Sequence, residues 1–252
     1  KQNHINQLSK EGVISLDHPC SKDVIKRILD KFHLHHKKVK NELSTKSIGI
    51  GSKAGYKEIV QRSPGRWDLP ICIEKLGIVH HDTIWWPIVS KILGSDAENS
   101  FSGIVFSEPN SPSQYWHIDS PHITNNHEPA HALNVMVALQ RITPEMGPTQ
   151  YALKSHYLTN HLKNKNLNKD SLIYQSPNTN PTYLVEHTNL MPPEVYTKNM
   201  EMGFCQIFDD RLLHRGLANK SYKERYVAYF SYRRKGYNEN THFESKQSIF
   251  KS

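Results

Sequence analysis

The chain has 252 residues, with 32 Lys and Arg against 24 Asp and Glu, which gives a formal net charge of +8. An aromatic fraction of 10% argues against a wholly disordered chain, and no apolar run reaches the roughly 18 residues of a transmembrane helix. The three cysteines are widely spaced without a CxxC pair, which argues against a disulfide-rich scaffold or a thiolate zinc site. They predict a cytoplasmic or other reducing compartment. The first ten residues lack an apolar signal segment, although an already trimmed targeting segment stays open.

The N-terminal third, residues 1–100, is predicted to be a mostly helical flank. A helix over 22–40 follows Ser21, a good capping residue, and its apolar side chains recur every three or four positions. A second helix is predicted over 81–93, because its apolar residues have the same spacing and Gly94 can end it. Both helices are therefore expected to cover one face of a core that lies further along the chain.

From about residue 101 the sequence changes to short apolar and β-branched runs, separated by clusters of Pro, Gly, Asn and Ser. Such runs predict strands, and their turns predict an antiparallel sandwich or barrel. A polar stretch at 157–199 predicts an insertion and 236–252 a tail, so that one domain is expected over 1–252 with its β core at 101–235. The predicted strands are 103–106, 133–139, 203–208 and 226–232.

The chemically informative residues are two histidines and an aspartate. His117 and Asp119 are two positions apart, so that in a strand both side chains lie on the same face. His214 follows another predicted strand far downstream. Two imidazoles and one carboxylate form the facial triad of non-haem iron oxygenases, which holds Fe(II) and leaves coordination positions open. Arg225, on the next predicted strand, suits the distal carboxylate of a dicarboxylate co-substrate.

Three segments together resemble the phytanoyl-CoA dioxygenase family of Fe(II)/2-oxoglutarate-dependent oxygenases. The residues that carry the resemblance are 114–119, 146–150 with 155–156, and 214–225. They occur in the order and spacing of the family, within a region of similarity at about 101–232. The resemblance implies a mainly β fold with a double-stranded β-helix core (a jelly roll of cupin type), flanking helices and an N-terminal helical layer.

The resemblance also implies roles for individual residues. Fe(II) would be bound by His117, Asp119 and His214, with O2 as the oxidant and no catalytic side chain beyond the iron centre. Arg225 would bind the C5 carboxylate of 2-oxoglutarate, the co-substrate. Further residues of the co-substrate pocket are expected to be Thr149, Gln114 and Ser221.

Two positions depart from the family pattern. Gly216 stands where some relatives carry Ser or Thr, so that a hydroxyl partner for the C5 carboxylate would have to come from Ser221 or Thr149. Lys154 stands where the family has a turn glycine, which leaves the geometry of that loop open.

The expected substrate is a small, anionic metabolite. The net charge of +8 predicts an anionic partner, and the dispersal of the basic residues favours a small acid over nucleic acid. An amino-acid-derived acid of natural-product biosynthesis fits this description. Halogenating relatives replace the carboxylate that Asp119 retains, which implies hydroxylation, desaturation or oxidative cyclisation. Candidate substrate residues are Arg62, Arg66, His122 and Tyr115, although arginines at a turn can equally stay solvated and His122 can cap a loop.

Three other functions stay open from the sequence. A hydroxylase of a protein or nucleic acid would use the basic surface for docking. A jelly-roll protein that has lost catalysis would only bind a metal, but it has no need of Arg225 beside an intact triad. A zinc hydrolase could use the same triad and would not depend on 2-oxoglutarate. The expected state is a monomer without a membrane span or a nucleic-acid partner.

Overall fold

The computed structural model describes residues 2–16, 18–167, 169, 172, 194–237 and 247–251. Within these residues the helices are α1 (Gln2–Glu11), α2 (Lys22–Leu43) and α3 (Trp86–Leu93). The strands of the larger sheet are β1 (Val13–Ser15), β2 (Val60–Ser63), β3 (Arg66–Pro70), β4 (Glu98–Ser107), β5 (Ala132–Ala138), β8 (Cys205–Asp209) and β10 (Arg225–Arg233). The strands of the smaller sheet are β6 (Thr149–Ala152), β7 (Val195–Thr197) and β9 (His214–Gly216).

The two sheets are antiparallel and face each other. The larger has the strand order β1-β8-β5-β10-β4-β3-β2 and the smaller has the order β7-β6-β9. Phe208 of the larger sheet packs against Tyr151 and His214 of the smaller one, with ring centroids 5.3 and 4.7 Å apart. This arrangement confirms the predicted mainly β, double-stranded β-helix fold with flanking helices.

Alternation along β10, in the middle of the larger sheet, separates the hydrophobic core from the interior of the jelly roll. Phe230 stacks on Trp85, which precedes α3, and Tyr226 contacts Phe32 of α2. These side chains share one face of the strand because successive residues point to opposite faces. Arg225 therefore lies on the other face, which points towards the smaller sheet. The helices stabilise the outer face and leave the inner face available for polar side chains.

The long helix has the start that the sequence predicts. The Ser21 side chain accepts a hydrogen bond from the Val24 backbone N–H at 3.3 Å, which satisfies one donor of the first turn. The helix continues to Leu43, slightly beyond the predicted end. Its buried stripe covers the larger sheet and consists of Ile25, Ile28, Phe32 and Val39.

The prediction of a mostly helical N-terminal third needs correction, because three strands of the larger sheet come from it. β2 and β3 form a hairpin around Gly65, whose φ of +66° suits a tight turn. The sequence of β3 alternates polar and apolar residues, but its polar residues Arg66 and Asp68 are buried on the inner face. The second predicted helix is also shorter, because His80–Asp82 form a separate 3-10 turn before α3. Gly94 ends α3, as predicted.

The predicted insertion and tail lie partly outside the described residues, which omit 173–193 and 238–246 among others. In the part that the structure describes, Leu172 is buried beside Trp116 and its carbonyl accepts the Ile118 N–H at 2.9 Å. The end of the tail packs against the body, where Ile249 is fully buried. No helix among the described residues has the length and apolar character to cross a membrane.

Candidate metal centre

His117 and His214 are brought together by a short antiparallel bridge. The His117 N–H donates to the His214 carbonyl at 3.1 Å, and the His214 N–H donates back at 2.9 Å. The two rings lie with their centroids 4.4 Å apart. Asp119 follows on the same face of the chain, and one ligand atom from each of the three residues lies within 4.8 Å of the others. The fold thus unites residues that are far apart in sequence.

Backbone carbonyls orient both imidazoles. Nδ1 of His117 lies 2.9 Å from the Tyr115 carbonyl, and Nδ1 of His214 lies 2.9 Å from the Leu212 carbonyl. A carbonyl oxygen only accepts, so each Nδ1 carries the proton and each Nε2 keeps its lone pair for a metal. Burial, together with the neighbouring His214, also holds the pKa of His117 well below its usual value. Both features favour neutral imidazole ligands.

The carboxylate of the triad is held by a polar chain from the larger sheet. The Asn134 Nδ2 donates to Asp119 Oδ2 at 2.6 Å, and the Ser231 hydroxyl donates to the Asn134 amide oxygen. Because its oxygen is engaged by Ser231, the Asn134 amide presents its nitrogen to Asp119. Asn134 was not predicted from the sequence, although a lone amide between Leu133 and Val135 in an apolar strand was a usable signal.

The donor set fits a facially coordinated iron. Two imidazole nitrogens and one carboxylate oxygen approach one point from one side, which is the arrangement that leaves positions open on Fe(II). The two histidines are 8% and 7% exposed, whereas the Asp119 side chain is 41% exposed. Access to the centre is therefore from the side of Asp119.

Arg225 lies deep in the jelly roll and contacts uncharged oxygens. Its guanidinium donates to the Gly147 carbonyl and, through Nη2, to the Ser107 hydroxyl at 3.1 Å. Burial lowers the pKa of Arg225 to about 10. Arg225 forms no ion pair with any residue that the structure describes, so a carboxylate from outside the chain would complete its environment.

Three other predicted co-substrate residues surround Gly216 or its loop. Thr149 pairs with Gly216 across β6 and β9, and Gln114 accepts the Gly216 N–H through Oε1 at 3.1 Å. Ser221 instead bonds within its own turn, with its hydroxyl 2.7 Å from Asn219 Oδ1. Roles for these residues in binding 2-oxoglutarate stay predictions.

The four candidate substrate residues do not form one cluster. Arg62 pairs with Asp68 at 2.5 Å, and Arg66 is buried among uncharged acceptors near Gly216. His122 is buried, and its Nε2 lies 3.2 Å from the Thr159 hydroxyl. Tyr115 is 51% exposed, and its carbonyl oxygen lies beside Nδ1 of His117. Substrate contacts for all four stay predictions.

A buried ion pair between Arg211 and Asp209 lies just before His214 in the chain. It was not predicted from the sequence. Arg211 donates to both oxygens of Asp209, from Nε at 2.8 Å and from Nη2 at 2.6 Å. It also donates to the Glu128 carbonyl at 3.0 Å. Because these contacts satisfy both charges, the pair is a structural element that fixes the turn leading into β9.

A jelly roll that presents two imidazoles and a carboxylate at one point has the ligand arrangement of the non-haem iron oxygenases. The sequence model of the phytanoyl-CoA dioxygenase (PhyH) family matches residues 9–227, and the chain belongs to that family. It is accordingly an Fe(II)- and 2-oxoglutarate-dependent oxygenase that uses O2.

Solved structures with the same fold include three enzymes of low sequence identity. The epimerase SnoN in complex with Fe3+, alpha ketoglutarate and nogalamycin RO has a TM-score of 0.62 at 13% identity, covering 92% of this chain and 82% of its own. The carbocyclase SnoK from nogalamycin biosynthesis has a TM-score of 0.60 at 16% identity, covering 92% and 83%. EctD from S. alaskensis with bound Fe has a TM-score of 0.61 at 15% identity, covering 92% and 76%.

Proposed function

We propose that the protein holds Fe(II) through His117, Asp119 and His214 and oxidises a C–H bond of a small, anionic metabolite. The observation that carries this proposal is the convergence of the three ligand atoms within 4.8 Å, with both Nδ1 atoms turned towards carbonyl oxygens. When bound, iron, 2-oxoglutarate and O2 together supply the oxidising power of the reaction. The protein supplies position, orientation and shielding from water.

The side chains divide this work between the two ends of 2-oxoglutarate. The triad fixes the reacting end, and Asn134 keeps the Asp119 carboxylate directed towards the two histidines. Arg225 would bind the distal carboxylate of 2-oxoglutarate at the deep end, because its buried charge has only uncharged partners. The open side at Asp119 would then receive the substrate.

The proposed reaction is hydroxylation, desaturation or oxidative cyclisation of a small molecule. Retention of Asp119 supports these outcomes, because the carboxylate occupies the position that halogenating relatives free for chloride. SnoN and SnoK are described as an epimerase and a carbocyclase, which supports oxidation without halogenation on this fold. We extend the proposal to an amino-acid-derived acid of natural-product biosynthesis.

An anionic substrate is supported by the net charge of +8, which favours the approach of acids to the protein. Arg62 and Arg66 add less support than their sequence positions suggested, since one pairs with Asp68 and the other is buried. Tyr115 is the most exposed of the four candidates, and it lies two residues before the ligand His117. The monomeric state and the reducing compartment stay predictions.

The test is an anaerobic titration of metal-free protein with Fe(II) and then 2-oxoglutarate. We expect the visible charge-transfer band of a chelated 2-oxo acid in the wild type and in His18→Ala, a control at an exposed histidine. The band should be absent from His214→Ala, although that variant should remain folded. Small acids are then screened for stimulated release of succinate under O2.

Other outcomes of the same experiment identify the alternatives. A band without succinate release for any small acid, peptide or oligonucleotide indicates a metal-binding module that has lost catalysis. Stimulation by a peptide or oligonucleotide, and by no small acid, indicates a macromolecular substrate. Hydrolytic activity with Zn(II) and without 2-oxoglutarate indicates a hydrolase and contradicts the proposal.

A further inference from the structure

Two buried arginines lie side by side across three neighbouring strands. Arg66 on β3 is in register with Ser107 on β4, and Ser107 is in register with Arg225 on β10. Residues that pair directly in an antiparallel sheet point to the same face. Both guanidiniums therefore extend from the inner face, on either side of the Ser107 hydroxyl, which accepts a hydrogen bond from Arg225.

Neither arginine has a carboxylate partner among the described residues. Arg66 is 1% exposed and donates to the oxygens of Gln114, Pro112 and Leu217 at 3.3, 3.3 and 2.9 Å. Arg225 is 3% exposed, and the Nε of each arginine has no hydrogen-bond partner in that part of the chain. Burial, followed by the charge of Arg225, lowers the pKa of Arg66 well below its usual value. Two adjacent buried cations are costly unless an anion joins them.

Gly216 connects Arg66 with the iron centre. It follows the ligand His214 by two positions on β9, so that both residues share the inner face. A Cβ atom at Gly216 would lie 1.7 Å from Nη1 of Arg66, which means that the guanidinium fills the space of a side chain there. Gln114 bridges the two residues, because its Oε1 accepts from both the Gly216 N–H and Arg66.

We propose that Arg66 is a second anchor for the distal carboxylate of 2-oxoglutarate. It takes the place of the hydroxyl side chain that some relatives carry at the position of Gly216. Arg225 and Arg66 then bind the carboxylate from two sides, and the exchange of hydroxyl for guanidinium explains why residue 216 has no side chain. This inference rests on the proposed function, and it assigns Arg66 to the co-substrate and not to the substrate.

The test compares two co-substrates that share the chelating 2-oxo acid group. 2-Oxobutyrate lacks the distal carboxylate of 2-oxoglutarate. A residue that binds this carboxylate therefore contributes to the affinity for 2-oxoglutarate and not to the affinity for 2-oxobutyrate. Dissociation constants are measured anaerobically on the Fe(II) protein by the charge-transfer band. For Arg66→Met we expect the 2-oxoglutarate affinity to fall about tenfold or more, because a charged hydrogen bond is lost, with unchanged affinity for 2-oxobutyrate. Arg66→Lys keeps the positive charge and should bind 2-oxoglutarate more tightly than Arg66→Met does.

The matched control is Arg233→Met, which removes an arginine from β10 that pairs with Glu98. It should leave the ratio of the two dissociation constants unchanged. Equal weakening of both co-substrates in Arg66→Met would indicate a merely structural role and would overturn the inference. Unchanged 2-oxoglutarate affinity in a folded Arg66→Met protein would overturn it as well.

Variants at Gly216 test the exchange directly, and the first of them keeps Arg66 in place. Gly216→Ser alone should weaken 2-oxoglutarate binding, since the new side chain collides with Arg66. In Arg66→Ala/Gly216→Ser the serine occupies the vacated space and should restore part of the affinity lost in Arg66→Ala. Failure of the serine to restore any affinity contradicts the proposed substitution. If the wild type itself gives no band, the proposed function has failed, and this inference fails with it.

Discussion

Two groups of buried arginines in this protein differ in what satisfies their charge. Arg211 donates to both oxygens of Asp209, so that the chain itself supplies the counter-charge. Arg66 and Arg225 contact only carbonyl, amide and hydroxyl oxygens in the described part of the chain. A buried arginine whose charge is balanced by a carboxylate of the chain is complete as a structural element. A pair without one is complete only when an anion binds.

We expect the largest effect from Arg211→Met, which should lower the stability of the fold and leave 2-oxoglutarate binding unchanged. Burial raises the pKa of Asp209, but hydrogen bonds from Arg211 outweigh it and lower that pKa overall. Arg211→Met leaves the carboxylate buried without its partner, which typically costs about 3–5 kcal/mol of unfolding free energy. Urea denaturation of wild type and variant measures the loss. The 2-oxoglutarate affinity of the folded variant should stay unchanged, and a selective loss of that affinity would contradict the assignment.

Arg225→Ala should show the opposite pattern. Its removal takes charged hydrogen bonds from the distal carboxylate, which are worth about 1.5–3 kcal/mol. The dissociation constant of 2-oxoglutarate should therefore rise roughly 10- to 150-fold. The anaerobic charge-transfer titration measures this constant. Arg233→Ala, at the other end of β10 and paired with Glu98, is the control and should bind like the wild type. Unchanged affinity in Arg225→Ala would show that the distal carboxylate binds elsewhere.

Asn134→Ala tests the support of the iron ligand. Loss of the amide frees the Asp119 carboxylate to rotate away from the histidines, and loss of such supporting hydrogen bonds typically weakens metal binding about 10- to 100-fold. Calorimetric titration with Mn(II) measures the affinity without oxidation of the metal. Ser231→Ala should have a smaller effect, because it removes only the bond that orients the amide. Metal affinity equal to that of the wild type would rule out a supporting role for Asn134.

We expect the smallest effect from His122, a buried histidine near Arg211 that makes stability depend on pH. Burial, followed by the charge of Arg211, lowers the pKa of His122 to about 3, whereas an unfolded histidine titrates near 6.5. Below pH 6.5 the unfolded chain binds a proton that the folded protein refuses, so that stability falls as the pH falls. Between pH 6.5 and 5.5 this residue should cost about 1 kcal/mol.

Unfolding curves of the wild type and His122→Asn at these two pH values test the titration. The variant should lose less stability on acidification, whatever its stability at neutral pH. An identical loss in both proteins would show that folding does not lower the pKa of His122.

The sequence predicted the parts of the molecule that depend on local spacing. Strand alternation placed His117 and Asp119 on one face, and the capping residue Ser21 marked the start of the long helix. It did not predict the hairpin at Gly65, because both strands are short and the buried side chains on one face of β3 are polar. The sequence also showed a glycine at position 216, where some relatives carry a residue with a hydroxyl group. The replacement that we propose, Arg66, comes from a distant strand that only the folded chain brings near.

The most direct test of the account is anomalous diffraction at the iron edge from crystals of the anaerobic Fe(II) and 2-oxoglutarate complex. We predict an iron peak between Nε2 of His117, Nε2 of His214 and the Asp119 carboxylate. We also predict 2-oxoglutarate with its distal carboxylate between Arg66 and Arg225. An iron peak away from the triad, or a distal carboxylate that contacts neither arginine, would contradict it.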